Sequence, residues 1–497
     1  MTEEHFDILI VGAGISGIGA AWHFSKHCPD ASFVILEKFE TYGGTWWSHR
    51  YPGIRSDSDL YTFGYSFKPW TGPPIATADE IRAYMGEVIE DTDLDRHIRY
   101  RHEISTAEWS SADNLWTITA TNSETGEEVR ITASFLFMGQ GYYRHREGYW
   151  PDWPGMADYT GQLIHSEEWT DDIDYTAKNV LVIGSGASAA TIVPNMQDAD
   201  HVTMLQRSPT FFRTGRNAIP IADQLRKLQI DDAWIHEITR KQILFEQSAF
   251  TARTFSEPEV VRDELIGEVR RLLGPDYDVD THFTPSYRPW RQRIAFVPDA
   301  DLFEAISSGK ASVVTDEIDR FTENGVRLKS GAEIEADLVV AATGFNMNTL
   351  GDIAFHVDGA PLDFHDTVTY RGMMFTGLPN MAWVFGYFRA SWTLRSDLVS
   401  EFVCRLWQHM QATGARRVEV ALRPEDSDMP VSDWVTSDNF NPGYVTRSLH
   451  LLPRAGPKPE WQHTQDYWAD KDVFPEIDLA GAEFVYDGVP AAKVAAE

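Results

Sequence analysis

Two glycine-rich loops, far apart in the chain, constrain its fold more than any other feature, and each follows a short apolar run. The loops read Gly12-Ala13-Gly14-Ile15-Ser16-Gly17 and Gly184-Ser185-Gly186-Ala187-Ser188-Ala189. Such a turn between a strand and a helix lets backbone N–H groups and the helix N-terminus bind a pyrophosphate. The sequence therefore predicts an α/β fold with two Rossmann-like dinucleotide-binding domains. The alternative is two strand–helix turns that only pack.

The end of the next strand distinguishes the two ligands. After the first loop, the apolar segment 32–36 ends at Glu37, where a carboxylate accepts hydrogen bonds from ribose hydroxyls and would repel a 2′-phosphate. After the second loop, segment 201–205 is followed by Gln206, Arg207 and Ser208. A guanidinium and a hydroxyl suit the 2′-phosphate of NADPH. Two different dinucleotides in one chain imply electron transfer between a flavin and a nicotinamide, so we expect FAD and NADPH.

Composition excludes several classes of partner. The chain has 497 residues and a formal net charge of −32, which argues against binding to nucleic acid or to an anionic membrane. It contains no run of about 18 apolar residues and no signal-peptide pattern, so we expect a cytoplasmic protein. Cys28 and Cys404 do not form a CxxC pair, which fits a reducing compartment. Because no His/Cys cluster is present, we expect no metal.

The pattern of apolar runs and turn residues predicts that both dinucleotide-binding domains are discontinuous. The predicted segments are 1–143 and 347–497 for the FAD domain, 144–214 and 291–346 for the NADPH domain, and 215–290 for a helical insertion in the NADPH domain. Two helix starts are marked by capping-box spacing, at Thr77 with Glu80 and at Ser256 with Glu259. Gly274 is expected to end the second of these helices.

Several segments carry a resemblance to a known family. Segment 159–169 is similar to the fingerprint F-x-G-x-x-x-H-x-x-x-W, with His165 at the histidine position, Tyr159 in place of Phe, and Thr170 where the family usually has Pro or Asp. Further segments match in order and spacing: 43–46, 51–59, 141–143, 204–210 and 390–394. The chain resembles class B flavoprotein monooxygenases of the Baeyer–Villiger type, and among them the mycobacterial ethionamide-activating group.

The resemblance implies an activity. It implies an FAD- and NADPH-dependent monooxygenase that uses a C4a-peroxyflavin. Its partners would be O₂ and a small ketone, converted to an ester or lactone, or a sulfide or thiocarbonyl compound that is oxidised at sulfur. The alternatives are an NADPH-dependent flavin reductase, an N- or S-hydroxylating flavin monooxygenase without Baeyer–Villiger activity, and a non-enzymatic flavin-binding sensor or scaffold.

The resemblance also implies roles for individual residues. Arg293 aligns with the family's active-site arginine. The chemistry needs an arginine there because a permanently charged guanidinium stabilises an oxygen anion and the tetrahedral adduct. Arg288 and Arg291 lie beside it, so the sequence alone leaves open which of the three is the active-site arginine. Asp57 would pair with the arginine and border the flavin, with Asp59 as its competitor.

Other residues of the matching segments are expected to bind cofactor or to connect the domains. His165 would lie where the chain crosses between the two domains and help their relative motion, without acting as an acid or base. The segment from Ser391 would direct a helix N-terminus at the flavin pyrimidine. The remaining expected cofactor-binding residues are Gly44, Thr45, Trp46, Thr343, Gly344, Trp392 and Leu394.

Overall fold

The computed structural model describes residues 4–436, 438–487 and 489–490. The α-helices are α1 Ile15–His27, α2 Thr45–Ser48, α3 Leu60–Phe63, α4 Ala78–Asp91, α5 Ala187–Asn195, α6 Pro220–Lys227, α7 Asp232–Ser256, α8 Pro258–Leu273, α9 Val279–His282, α10 Asp301–Ser307, α11 Trp392–Thr413, α12 Gly443–Ser448 and α13 Tyr467–Val473. The strands of the first half are β1 Glu4–Val11, β2 Phe33–Leu36, β3 Ile98–Arg99, β4 His102–Ser110, β5 Leu115–Asn122, β6 Glu128–Met138, β7 Tyr143–Gly148, β8 Gln162–His165, β9 Asn179–Ile183, β10 His201–Gln206 and β11 Phe212–Gly215.

The strands of the second half are shorter. They are β12 Ala295–Pro298, β13 Ala311–Thr315, β14 Ile318–Thr322, β15 Gly325–Leu328, β16 Glu333–Glu335, β17 Leu338–Ala341, β18 Phe345–Met347, β19 Ala354–Val357, β20 Ala360–Pro361, β21 Thr369–Tyr370, β22 Met374–Phe375, β23 Met381–Trp383, β24 Val418–Val420, β25 Ser432–Asp433, β26 Arg454–Ala455, β27 Phe484–Tyr486 and β28 Val489–Pro490.

The first glycine-rich loop lies at the centre of a large mixed sheet. Its strand order is β20-β19-β4-β5-β6-β1-β2-β3, and β23 also pairs with β6. Strand β1 is parallel to both β2 and β6. Successive β1 side chains enter opposite cores: Ile8 and Ile10 pack with α1 and α11, whereas Leu9 packs against the residues on the other face. A strand buried on both faces explains the continuous apolar run before the loop.

The second glycine-rich loop follows the central strand of a separate sheet. The order is β13-β10-β9-β17-β8, and all neighbours are parallel. The loop connects β9 to α5. Parallel strands with helices over their faces form the doubly wound arrangement of a dinucleotide-binding domain. The prediction of an α/β fold with two Rossmann-like domains is confirmed.

Four helices, α6 to α9, lie between β11 and β12, within the segment expected to be helical. The capping box predicted at Thr77 and Glu80 is confirmed. The one predicted at Ser256 is wrong, because Ser256 is the last residue of α7 and its hydroxyl donates to the carbonyl of Ala252. The N-cap of α8 is Glu257, which makes no side-chain cap hydrogen bond. The domain boundaries themselves stay a prediction.

The two chain segments that connect the sheets run side by side. Strands β7 and β18 form an antiparallel pair with Gly148 opposite Phe345. Just beyond it, the N–H of Tyr149 donates to the carbonyl of Gly344 at 2.9 Å. We call this pair the connecting ribbon, and it joins the two dinucleotide-binding units through both crossings of the chain.

Two further properties concern the described part of the chain. Within residues 4–436, 438–487 and 489–490, no helix is both long and apolar enough to cross a membrane. The same residues contain no group of three or more His, Cys, Asp or Glu side chains that could hold a metal ion. Cys28 and Cys404 are buried free thiols.

Candidate active site

The first loop is shaped by close backbone packing. Gly12 has a φ of +92°, in the left-handed region, and Gly14 is the N-cap of α1. A Cβ added at Gly17 would lie 1.8 Å from the carbonyl oxygen of Gly12. Only glycine therefore permits this approach of α1 to the loop, which leaves the N-terminus of α1 open to a phosphate.

The wall opposite this loop is also built from small and hydroxyl residues. A Cβ on Gly44 would lie 3.2 Å from the Cα of Gly14, so the two backbones nearly touch. Thr45 shares a 2.6 Å hydrogen bond with Tyr143. Gly14, Gly44, Thr45 and Trp46 all line one large cavity, which we call the cofactor cavity.

Glu37 lies at the end of β2 and lines the cofactor cavity. It is 4% exposed, and its carboxylate accepts hydrogen bonds from the backbone N–H groups of Ala13 at 2.7 Å and Phe39 at 2.9 Å. Burial raises the pKa of Glu37, while these backbone donors oppose that rise. A buried carboxylate beside a glycine-lined cradle fits the ribose and pyrophosphate of FAD.

The second loop repeats the positions of the first. Gly184 has a φ of +141° and Gly186 is the N-cap of α5. A Cβ on Gly186 would meet no atom within 4 Å. Ala189 stands where the first loop has Gly17 and is fully buried, and Ser188 lines the cofactor cavity. Both loops therefore lie along one cavity.

Backbone hydrogen bonds align the two units residue by residue. The N–H of Gly12 donates to the carbonyl of Leu36, and the N–H of Gly184 donates to the carbonyl of Leu205, both at 2.8 Å. The residues that follow these two leucines, Glu37 and Gln206, are therefore counterparts. Gln206 is 2% exposed, and its amide donates to the carbonyl of His282 at 2.6 Å and the hydroxyl of Thr315 at 2.9 Å.

Arg207 and Ser208 follow this strand end and are exposed. The Ser208 carbonyl accepts a hydrogen bond from the hydroxyl of Ser185 in the second loop at 3.3 Å. A cationic group thus lies next to the edge where a ribose would bind, which fits a 2′-phosphate.

Arg293 and Asp57 form an ion pair at 3.3 Å in the wall of the cofactor cavity. The Arg293 side chain is 42% exposed, and this exposed surface faces the cavity. Its enclosure opposes the charged form, but the attraction of Asp57, followed by that of nearby tyrosines, outweighs it and raises the pKa of Arg293. The guanidinium therefore keeps its charge at every working pH.

The structure distinguishes the candidates that the sequence left open. Asp59 is the N-cap of α3 and accepts hydrogen bonds from both the N–H and the hydroxyl of Thr62. Arg288 donates to backbone carbonyls, and Arg291 lies 3.6 Å from Asp438. Of these five residues, Asp57 and Arg293 are the pair that meets at the cofactor cavity.

His165 lies at the end of β8, against the connecting ribbon. A Cβ on Gly148 would come within 1.9 Å of its ring. Its Nδ1 accepts from the N–H of Glu167 at 3.1 Å and its Nε2 lies 3.4 Å from the hydroxyl of Thr343. Burial lowers the pKa of His165 to about 4, so the ring is neutral near pH 7. The ring therefore contacts both segments that connect the two units, and its connecting role stays a prediction.

Four other expected cofactor residues occupy different positions. Trp392 begins α11, donates to the hydroxyl of Ser16 at 2.8 Å and lines the cofactor cavity. Gly344 lines it as well, with a φ of +93°. Thr343 donates to the carbonyl of Tyr149 in the connecting segment. The Leu394 side chain is 1% exposed in the core, so only its backbone N–H is suited to a ligand.

Sequence reasoning missed Glu167, which lies inside the histidine fingerprint. It is 5% exposed, lines the cofactor cavity, and its Oε2 has no hydrogen-bond partner among the described residues. Burial, and then the carboxylates of Glu168 and Glu147, raise the pKa of Glu167 to about 8. Only its position, two residues after His165, signalled it in the sequence.

Glu167→Gln is expected to stabilise the protein at pH 8 and not at pH 4.5. An unfolded glutamate has a pKa near 4.5, so between pH 4.5 and 8 the unfolded chain ionises while the folded site stays protonated. The wild type therefore loses stability as pH rises through this window, and the neutral glutamine does not. At 1.36 kcal/mol per pKa unit the gain is at most on the order of 4 kcal/mol. Thermal unfolding of both proteins at the two pH values measures it.

Glu335→Gln is the matched control, since Glu335 is exposed and does not contribute to the pKa of Glu167. It should leave the midpoint nearly unchanged at both pH values. A Glu167→Gln effect of equal size at pH 4.5 and pH 8 would contradict a protonated carboxyl.

Known proteins match this chain over nearly its whole length. A family model for L-lysine 6-monooxygenase/L-ornithine 5-monooxygenase matches residues 77–347, and one for an NAD(P)-binding Rossmann-like domain matches residues 10–74. The FAD-containing monooxygenase EthA of Mycobacterium tuberculosis H37Rv is 45% identical, covering 98% of this chain and 99% of that protein. The probable FAD-binding monooxygenase AlmA of Acinetobacter baylyi is 40% identical, covering 94% and 93%.

Solved structures match with low identity. An oxidised steroid monooxygenase bound to NADP gives a TM-score of 0.74 at 21% identity, covering 97% of this chain and 99% of that one. An ε-caprolactone-bound cyclohexanone monooxygenase gives 0.74 at 19% identity, covering 97% and 100%. The fold is thus that of the flavin-dependent Baeyer–Villiger monooxygenases.

The relatives then give the particular assignment. This chain belongs to the family of FAD-containing monooxygenases that includes EthA and AlmA. The resemblance expected from the fingerprint and the matching segments is confirmed, and so is the class of enzyme.

Proposed function

We propose that the chain is an NADPH-dependent monooxygenase that inserts oxygen into small ketones, giving esters or lactones, and oxidises sulfides or thiocarbonyl compounds at sulfur. The observation that carries the proposal is the Asp57–Arg293 ion pair in the wall of a cavity along which both glycine-rich loops lie. Bound FAD, reduced by NADPH, supplies the reactive oxygen derived from O₂. The chain's own residues bind, orient and stabilise charge.

Arg293 is the catalytic residue of this proposal. A guanidinium has five N–H donors, and the structure records a hydrogen bond from one of its nitrogens, Nη1, to Asp57 within the described residues. The other donors are free to face the cavity. There they stabilise negative charge on the oxygen being transferred and on the substrate carbonyl oxygen, where such a donor contributes most. Asp57 holds the guanidinium in position.

The cofactor-binding residues are proposals of the same kind. They are Gly12, Gly14, Gly17, Glu37, Gly44, Thr45, Trp46, Asp57, Trp392 and Leu394 on the FAD side, Gly184, Gly186, Ser188, Ala189, Arg207 and Ser208 on the NADPH side, and Thr343 and Gly344 at the crossing, where His165 is the connecting residue. Buried free thiols at Cys28 and Cys404 support a reducing compartment, and we propose the cytoplasm.

The test is oxygen incorporation. Purified protein, supplied with FAD, NADPH and ¹⁸O₂, should convert a ketone or sulfide into a product carrying one ¹⁸O atom per NADPH oxidised. NADPH oxidation without labelled product would favour the alternative of a flavin reductase. A flavin that NADPH cannot reduce would favour a non-enzymatic flavoprotein.

A second candidate is N-hydroxylation, favoured by the match of residues 77–347 to the lysine and ornithine monooxygenase model. Including lysine and ornithine in the same labelled assay separates the two activities. A hydroxylated amino acid, with no ester or sulfoxide, would select this second candidate.

Arg207→Ala is expected to weaken the binding of NADPH much more than the binding of NADH. A charge-assisted hydrogen bond to the 2′-phosphate contributes roughly 1.5–3 kcal/mol, which corresponds to a rise of about 10- to 100-fold in the KM for NADPH. NADH lacks this phosphate, so its KM should change little. Steady-state kinetics with both cofactors measure the ratio, and equal weakening of both would contradict the assignment of the second loop.

A further inference from the structure

A second cavity lies on the other side of the Asp57–Arg293 pair, and these two residues belong to the walls of both cavities. Its wall includes residues of α7 and residues on and beside β11 and β12. Much of that wall is apolar, from Ile219, Ile243, Phe250, Ile294, Phe296 and Phe388. A substrate there would reach Arg293 without displacing a dinucleotide from the cofactor cavity.

The charge of this second cavity runs against that of the chain. Four arginines line it, Arg213, Arg216, Arg293 and Arg389, in a protein of net charge −32. Its acidic residues are Asp57, Asp59 and Glu246. Asp57 is paired with Arg293 and Asp59 caps α3, so both carboxylates are already occupied.

Arg213 and Arg216 are the arginines of this wall whose side chains have no hydrogen bond or ion pair within the described residues, and both residues are exposed. The Arg213 guanidinium lies 4.7 Å from the ring centre of Phe250, an apolar residue of the same wall, and this contact distinguishes Arg213 from Arg216. Desolvation in the cavity wall lowers the pKa of Arg213, although the residue is exposed, and the charge of Glu246 only partly opposes this. By contrast, Arg389 donates to the Asn439 carbonyl at 2.7 Å.

Arg213 and Arg293 lie at different positions along the direction of the parallel strands β11 and β12. Strands β11 and β12 are parallel with Arg213 opposite Phe296, and Arg293 lies three residues before Phe296. At about 3.3 Å per residue, the backbones of Arg213 and Arg293 are roughly 10 Å apart along the strands. Apolar side chains occupy the wall between them.

We propose that the second cavity selects substrates that carry a carboxylate at the far end of an apolar chain. Arg213 binds the carboxylate, the apolar wall covers the chain, and the reacting carbonyl or sulfur lies next to Arg293. This inference rests on the proposed monooxygenase function and adds its substrate class. Arg213 is a specificity-determining residue in this arrangement and does not touch the reacting atoms.

The test compares a straight-chain keto acid, its methyl ester and a methyl ketone of equal length. The wild type should turn over the acid with a kcat/KM about 10- to 100-fold above the ester, as expected for a hydrogen bond to a charged group. Arg213→Gln should remove this preference and leave the methyl ketone unchanged. Arg327→Gln, at an exposed arginine paired with Glu333, is the matched control and should keep the preference.

The outcomes of this test distinguish a failure of the substrate inference from a failure of the proposed monooxygenase function. Ketone turnover without any preference for the acid would overturn the inference alone, as would an equal loss of acid and ester turnover in Arg213→Gln. If no substrate is oxygenated, the proposed function fails. Calorimetric binding of the acid and the ester to wild type and Arg213→Gln then decides the inference without turnover: a preference lost in the variant supports it, and equal affinities overturn it.

Discussion

Arg293→Ala oxidises NADPH but forms no ester or sulfoxide: this is the expected result for the variant with the largest effect on chemistry. Removing a preorganised donor to a developing oxygen anion lowers the rate of the charged step by about 10²- to 10³-fold. The glycine loops and Glu37 do not depend on Arg293, so cofactor binding and flavin reduction should persist. Measuring the product together with hydrogen peroxide shows how completely flavin reduction is separated from oxygen transfer to the substrate.

Arg291→Ala is the matched control for this variant. It removes a guanidinium two residues away, which lies 3.6 Å from the exposed Asp438. Its product yield should equal that of the wild type. Unchanged product formation in Arg293→Ala would remove this arginine from the mechanism, and loss of flavin binding would show that its role is structural.

Gly17→Ala is expected to yield protein without bound flavin. A methyl group placed 1.8 Å from the Gly12 carbonyl oxygen overlaps it completely, so the loop or α1 must move. Either movement takes the helix N-terminus away from the pyrophosphate position. The absorbance of the purified protein near 450 nm and its thermal midpoint measure both consequences. We expect flavin content to fall by roughly tenfold or more, because losing one hydrogen bond to the charged pyrophosphate costs about 1.5–3 kcal/mol.

Gly267→Ala serves as the control, because a Cβ there meets no atom within 4 Å in α8. In a helix this change stabilises by roughly 0.5–1 kcal/mol. Flavin retained in full by Gly17→Ala would show that α1 can move away without cost. Ala189 holds the same position in the second loop and is buried without such a clash, so only the first loop has this strict requirement.

Local signals in the sequence were enough for the two loops and the strand-end residues. Their positions depend on hydrogen bonds between neighbours in one βαβ unit, which spacing along the chain reveals. The capping box at Thr77 formed for the same reason. At Ser256 the spacing was identical, but α7 continued through it, because a helix that packs over many turns outweighs one cap.

Long-range contacts lay beyond the sequence. Nothing local separates Asp57 from Asp59, and the choice depends on Arg293, which comes from a distant segment. Glu167 could not be singled out because its raised pKa arises first from burial, which depends on the folded structure. The fingerprint located His165, yet its contact with Gly148 depends on how the end of β7 packs against the end of β8.

The connecting ribbon has a consequence for how hydride donor and flavin meet. Both covalent links between the two nucleotide units leave at one place and are held together by backbone hydrogen bonds. A displacement of the units that preserves those bonds would leave this junction intact and use it as a hinge. The sites formed by the two glycine-rich loops would then approach or separate by bending at this one junction, so the same residues would serve both directions of the movement.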